Sequence, residues 1–312
     1  MAKQPVAYGG QAVIEGVMFG GKHSTVTAIR RKDRSIEYFS LPKKSYKGWY
    51  AKARKIPFLR GIFGIIEASA NGSKHLNFAA ERYDVEPGEE EYTPQESSKL
   101  VEILGIAVVG VLSFFFGKLL FTVVPALLEE YLFRTFPLSF VIHNLIEGGI
   151  KIILLLIYLF AISRTPIIKR LFQYHGAEHK VINAFEAGKD LTVANVQAAS
   201  RLHYRCGSSF IIFSVLVGVA IYSFFEWDST WERIWIRILL IPVVLGVSYE
   251  VLQLTNKVRD IQGLQWLGYP GLWLQYLTTS EPTDDQVEVS IASFNKMRQM
   301  EMEYDADNTF VI

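Results

Sequence analysis

The sequence predicts a mainly α, polytopic membrane protein, with four transmembrane helices joined to a small cytosolic α+β region at the N-terminus. Three observations carry this. Half of the 312 residues are hydrophobic and 20% are charged, with a mean hydropathy of +0.20, far too apolar for disorder to be the main state. Four long apolar stretches follow residue 100, and Lys and Arg are distributed unevenly around them. The formal charge of +1 argues against a broad nucleic-acid-binding surface, and no specific nucleic-acid binding is expected. Cys206 is the single cysteine, which excludes an intramolecular disulfide. The first thirty residues lack the apolar core and small-residue cleavage site of a secretory leader, so none is expected.

Residues 1–98 read as the cytosolic N-terminal region. A glycine-rich segment (Gly9, Gly10, Gly16, Gly20, Gly21) precedes two predicted strands, Thr25–Arg31 and Ser35–Leu41. Gly16 to Lys22 matches G-x-x-x-x-G-K, yet His23 stands where a hydroxyl is needed and a strand follows where a helix must open, so a phosphate loop is rejected. The glycines instead suit close backbone approach, with Glu15 exposed among them. Ile56–Ala80 reads as a helix whose Ile62, Phe63, Ile65 and Ile66 suit a membrane surface. Asp84–Glu96 reads as an acidic linker.

The spans are expected at Val101–Leu128, Leu138–Ile162, Ser208–Phe225 and Ile234–Leu254, each near or above the roughly 20 residues that cross a bilayer. They define regions 99–162 and 208–255, separated by a loop at 163–207 and followed by a C-terminal region at 256–312. Residues 1–60 hold thirteen Lys or Arg against three acids, and the 163–207 loop holds seven, whereas the short connections hold only Arg134 and Arg233. Both termini and the middle loop are therefore expected in the cytosol, in the bacterial cell (inner) membrane. Trp227, Trp231 and Trp235 suit the opposite interface. Lys118 and Glu147 are expected to neutralise one another at matching depth, with Lys151 one turn on. No broken-helix pair of the transporter type is visible. Leu264–Leu277, with Trp266 and Trp273, suits an interfacial segment, and Thr283 and Gln286 form a capping box for a final helix with Val287, Ile291 and Phe294 on one face.

The chemistry lies in Tyr174-His175-Gly176-Ala177-Glu178-His179-Lys180, which fits H-x-x-E-H. Four residues apart on a helix, the two imidazoles share one face and can reach one ion. Glu178 is then placed as general base, and Asn183 and Glu186 extend a polar stripe toward a stop at Gly188. Glu250, 71 residues after His179, could complete a His2Glu site, and His203 or Cys206 could instead be the third ligand. Zinc suits this donor set best, with iron or manganese as alternatives.

GGQAVIEGV (Gly9–Val17), PFLRG (Pro57–Gly61), YHGAEHK (Tyr174–Lys180), RCGSSF (Arg205–Phe210), SYE (Ser248–Glu250) and PGLWLQYLTTSEP (Pro270–Pro282) occur in this order. Together they resemble the bacterial YqhQ-like family of integral membrane proteins, a domain of unknown function whose members are described as predicted metal-dependent enzymes. The resemblance spans nearly the whole chain and implies a metal role for His175, Glu178 and His179, but no substrate. True inverted zincins share only H-x-x-E-H and are large soluble peptidases. The expected function is a membrane-embedded, cytosol-facing metal-dependent enzyme, a hydrolase acting on a membrane-associated substrate. The alternative is a non-enzymatic factor for membrane-protein biogenesis, translocation or quality control, whose partners beyond the lipid bilayer would be other membrane proteins.

Overall fold

The structure, a computed structural model, describes residues 8–43, 46, 48–85, 116–117 and 119–309. The chain is mainly helical with a small N-terminal antiparallel sheet, as its sequence predicts. Four strands, β1 (Gly9–Val13), β2 (Gly16–Gly20), β3 (Ser24–Arg30) and β4 (Ile36–Pro42), form a meander in chain order. Only the last two were expected. The glycine run is itself a hairpin, closed by the two-residue turn Ile14-Glu15 and registered Val13 opposite Gly16. Glu15 takes a positive φ of 53° there and is held by Arg170, an ion pair, rather than left exposed.

The strands β2 and β3 are buried on both faces, because helices cover both sides. One face, with Val13, Ile29 and Phe39, packs against Phe78 and Ala79 of a long helix, α2 (Leu59–Arg82), which follows the short α1 (Gly48–Ala53). His75 of α2 is fully buried between the hydroxyls of Thr25 and Thr27, at 3.0 and 2.7 Å. The other face, with Val17, Phe19, Val26 and Ala28, meets Tyr174, Ala177 and Val181 together with Val287, Phe294 and Met297. Segments far apart in sequence, from the N-terminal region, the middle loop and the C-terminal region, thus share one core. One arm of the expected capping box forms, Thr283 N–H donating to Gln286 Oε1 at 2.9 Å, while Gln286 N–H goes to the Thr283 carbonyl at 3.1 Å, and the helix it opens lies on the sheet.

Past a π-helical turn at Leu119–Val123, the apolar helices are α3 (Val124–Phe133), α4 (Phe140–Ser163), α7 (Ser209–Tyr222), α8 (Thr230–Leu239) and α9 (Ile241–Lys257). Between α4 and α7 lie α5 (Pro166–Glu186) and the short α6 (Val193–Gln197); α10 (Tyr269–Thr278) and α11 (Asp284–Thr309) close the chain. Among the described residues, α4 alone is long and apolar enough to cross a membrane unaided, and 22% of its most apolar window is buried. The helix α7, at 14 residues, rises only about 21 Å against a hydrocarbon layer of about 30 Å. The fourth expected span is instead two helices, α8 and α9, bent by 54°. Pro242 at the start of α9 explains the break, since proline offers no N–H to the preceding turn. A broken pair is therefore present where none was expected. The expected first span falls mostly outside the described residues, as do Lys118 and most of the acidic linker. Glu147 is paired with Arg233 and Arg237 of α8, and Glu129 joins the same buried network through Arg233 at 2.7 Å. An arginine assigned by sequence to a loop is thus buried among apolar helices, where paired carboxylates offset its desolvation.

Candidate metal centre

The helix α5 carries the motif, and its glycine is required by packing. A Cβ on Gly176 would collide with the carbonyl oxygen of Ser280, so the helix lies directly on the chain after α10. Its end is set by Gly188, in the left-handed region at φ 69°. Gly188 N–H donates to Phe185 O and Lys189 N–H to Ala184 O, both at 3.0 Å, which satisfies the last carbonyls as the sequence anticipates.

The polar stripe on α5 holds the following loop by its carbonyls. Lys180 Nζ donates to Gln197 O and Ala199 O at 2.8 and 3.0 Å, and Asn183 Nδ2 donates to Ser200 O and Leu202 O at 2.7 and 3.0 Å. His203 is fixed by Gln275, which accepts its backbone N–H and donates to its carbonyl, each at 2.8 Å. This brings Cys206 over the motif. Its Sγ lies 3.3 Å from His175 Nε2 and 3.0 Å from Ser208 Oγ.

The ligand atoms of His175, His179 and Cys206 all lie within 4.8 Å of one another. Each imidazole is oriented from behind: His175 Nδ1 donates to Thr278 O at 2.8 Å, and His179 Nδ1 to Arg201 O at 2.6 Å. A carbonyl can only accept, so the proton sits on Nδ1 in both rings and Nε2 presents a lone pair. Such carbonyl partners behind the ring are what metal-binding histidines require. The donor set also fits by size. A tetrahedral zinc with Zn–N of about 2.0 Å and Zn–S of about 2.3 Å separates N from S by about 3.5 Å, close to the Sγ–Nε2 distance.

Glu178 is buried beside this trio, Oε2 lying 3.9 Å from His175 Nε2. It packs on the backbone of Gly10, where a Cβ would crowd its Cγ at 2.9 Å, and the Gly10 N–H lies near its carboxylate. Burial pushes its carboxyl up to about 7, against the opposing pull of His175 and the Gly10 N–H. The trio, Glu178, His203, Arg205 and residues 8–12 line a cavity of about 410 Å³. His203 is 5% exposed and, among the described residues, its Nε2 has no hydrogen-bond partner; burial, reinforced by Arg259, holds its imidazole down to about 4. Its nearest acid is Glu186, 3.8 Å away.

Glu250 is placed elsewhere. Its carboxylate accepts from Arg60 Nε at 2.8 Å and from Phe58 N–H at 3.1 Å. Gly61 packs on Tyr249 and Gly246 on Phe58, so the PFLRG and SYE segments meet each other rather than the histidines. Cys206 stands in the group where Glu250 was expected. Gly10, Lys180, Gln275 and Thr278 lie in the segments that carry the resemblance, but their roles in the site, like that of the Arg201 carbonyl, are not legible in the sequence, because most act through backbone atoms.

Fold and site together define a mainly helical protein in which a sheet-backed helix presents a His2Cys cluster beside a buried carboxylate. The model of the family described as "Protein of unknown function (DUF1385)" matches residues 56–300. The uncharacterized protein YqhQ of Bacillus subtilis (strain 168) is 59% identical over 302 residues, 96% of this chain and 94% of that protein. The chain belongs to the DUF1385 family, a YqhQ-like protein. No solved structure matches it.

Proposed function

We propose that this chain is a multi-pass membrane protein whose cytosolic face carries a zinc-dependent hydrolase site, ligated by His175, His179 and Cys206. The observation that carries it is the convergence of two Nε2 lone pairs and one thiol, with both Nδ1 protons taken up by carbonyls. Zinc held there would supply a Lewis acid able to polarise water or a substrate carbonyl. Glu178 Oε2 takes a proton from the attacking water and returns it to the leaving group, so that water's oxygen joins the acyl carbon as the bond to the leaving atom breaks. Gly10 N–H and the packing around Glu178 keep that carboxylate aimed at the cavity. The low burial of α4, with Ile153, Ile157 and Phe160 exposed, supports a lipid-facing surface. The Lys and Arg bias supports a cytosolic site.

Metal content of the detergent-purified protein by mass spectrometry tests the reading. About one zinc per chain, lost in His175→Ala/His179→Ala, supports it; a folded wild type that stays metal-free after zinc addition removes it. A second reading has its own observation. The 3.3 Å Cys206–His175 contact also suits a thiol nucleophile activated by an imidazole that Thr278 orients. A covalent acyl adduct on Cys206, with no metal requirement, would decide for it.

A further inference from the structure

The strand β1 is the edge of the sheet, and its pairing fixes which backbone groups are free. Val13 and Gly16 flank a two-residue turn and so exchange hydrogen bonds, as do Gln11 with Met18 and Gly9 with Gly20 in the alternating ladder. The backbone groups of Gly10 and Ala12 therefore point away from β2. Gly10 N–H faces the Glu178 carboxylate. Among the described residues, no backbone partner is found for Gly10 C=O or for the N–H and C=O of Ala12.

This edge lies in empty space that reaches the candidate site. Gly9, Gly10 and Gln11 line the 410 Å³ cavity of the histidine cluster and also a second cavity of about 880 Å³ between the sheet and α2. Neither Gly9 nor Gly10 places a side chain between the two, and a Cβ on Gly9 would meet nothing within 4 Å. Lys43, Arg54 and Lys74 line the second cavity with one acid, Glu67, which is paired with Arg54, so two lysines remain as its net charge.

We propose that β1 receives an extended, acidic polypeptide segment as an added strand, and that such a segment is the substrate class of the adjoining site. The substrate assignment rests on the hydrolase reading; the added strand does not. Unpaired main-chain donors and acceptors on a sheet edge are matched by another strand's main chain, at a spacing of about 4.8 Å. A strand bonded along Ala12 and Gly10 C=O passes beside Glu178, which sits at the Gly10 end of that edge. Its backbone carbonyls are thereby delivered to the side of the cavity where His175, His179 and Cys206 converge. The basic lining of the neighbouring cavity selects acidic side chains.

The test is binding, read without catalysis. Fluorescence anisotropy would follow a fluorescein-labelled acidic peptide of about nine residues, a typical strand length, added to the full-length protein in detergent. A counterpart N-methylated at every second residue cannot donate along one edge and should bind at least about tenfold more weakly. Ala12→Pro deletes one outward N–H while leaving the β1–β2 bonds intact, and should weaken the parent peptide by about tenfold. Gly9→Phe is the second variant: open space accepts it, and its ring fills the groove. It should weaken binding with an unchanged Tm. Equal binding of parent and N-methylated peptides, or no loss in either folded variant, overturns the proposal. Peptide binding by protein that carries no zinc would uphold the edge-strand site and remove the hydrolase reading. A zinc-loaded protein that ignores the peptide would do the reverse.

Discussion

His175 and His179 are legible in the sequence because their relation is local: a spacing of four is one helical turn whatever surrounds it. Glu178 shares that advantage, and its predicted consequences are separable. Glu178→Gln should keep the bound zinc, as the ligand atoms are elsewhere, while hydrolysis of an acidic peptide falls by about 10²–10⁴-fold; loss of zinc in that variant would make Glu178 a ligand. Choosing Cys206 over Glu250 requires knowledge of tertiary contacts. Glu250 is captured by Arg60 and Phe58, partners 190 and 192 residues away, and no periodicity encodes that. A buried histidine that sequence reading passed over makes a second residue-scale prediction. The imidazole of His75, enclosed by Thr25, Thr27 and Phe39 and desolvated first of all by burial, is held down to about 4. The unfolded chain protonates this group below about 6.5 and the folded one only near 4. Stability is therefore full above pH 6.5 and declines as pH falls toward 4, by about 3 kcal/mol from this group. Denaturation midpoints across that window should show the decline, and His75→Gln should flatten it; an identical slope in the variant would assign the effect elsewhere.

The strands β3 and β4 and the helices α2, α4 and α11 follow from patterns that a window of residues contains. The hairpin β1–β2 was missed because glycine weakens any strand signal, and what stabilises it is covering by α5 on one face and α2 on the other. The break between α8 and α9 was signposted by Pro242, but a hydropathy average runs across it unaltered. Element docking gives two further predictions. Glu250→Gln removes the grip on the N-terminal end of α2, which is partly exposed, so it should cost about 1 kcal/mol, or about 2–4 °C in Tm, with zinc content unchanged. Gly176→Ala forces α5 off the Ser280 carbonyl and should cost about 1–3 kcal/mol by overpacking. Thermal melts of both variants, paired with metal analysis, check these values. Zinc loss in Glu250→Gln would restore that residue to the ligand set.

The whole molecule divides into an α/β unit, assembled from three distant segments around one sheet, and a set of apolar helices knitted by Glu129, Glu147, Arg233 and Arg237. Composition reveals the second part and conceals the first, because the helices that cover one face of the sheet lie about 150 and 270 residues downstream of it. The proposed topology places the α7–α8 connection and the C-terminal helix on opposite sides of the membrane. In a Cys206→Ser background, a membrane-impermeant maleimide should label Trp231→Cys in intact cells and Met302→Cys only after permeabilisation. Labelling of both under the same condition would contradict the proposed orientation.

The central claim is that a metal is held by two imidazoles and one thiolate. X-ray absorption at the zinc edge of the purified protein tests it most directly. A shell of two nitrogens at about 2.0 Å and one sulfur at about 2.3 Å is expected, the sulfur vanishing in Cys206→Ser. A shell of oxygen and nitrogen alone in the wild type, or no bound metal in folded protein, would contradict it.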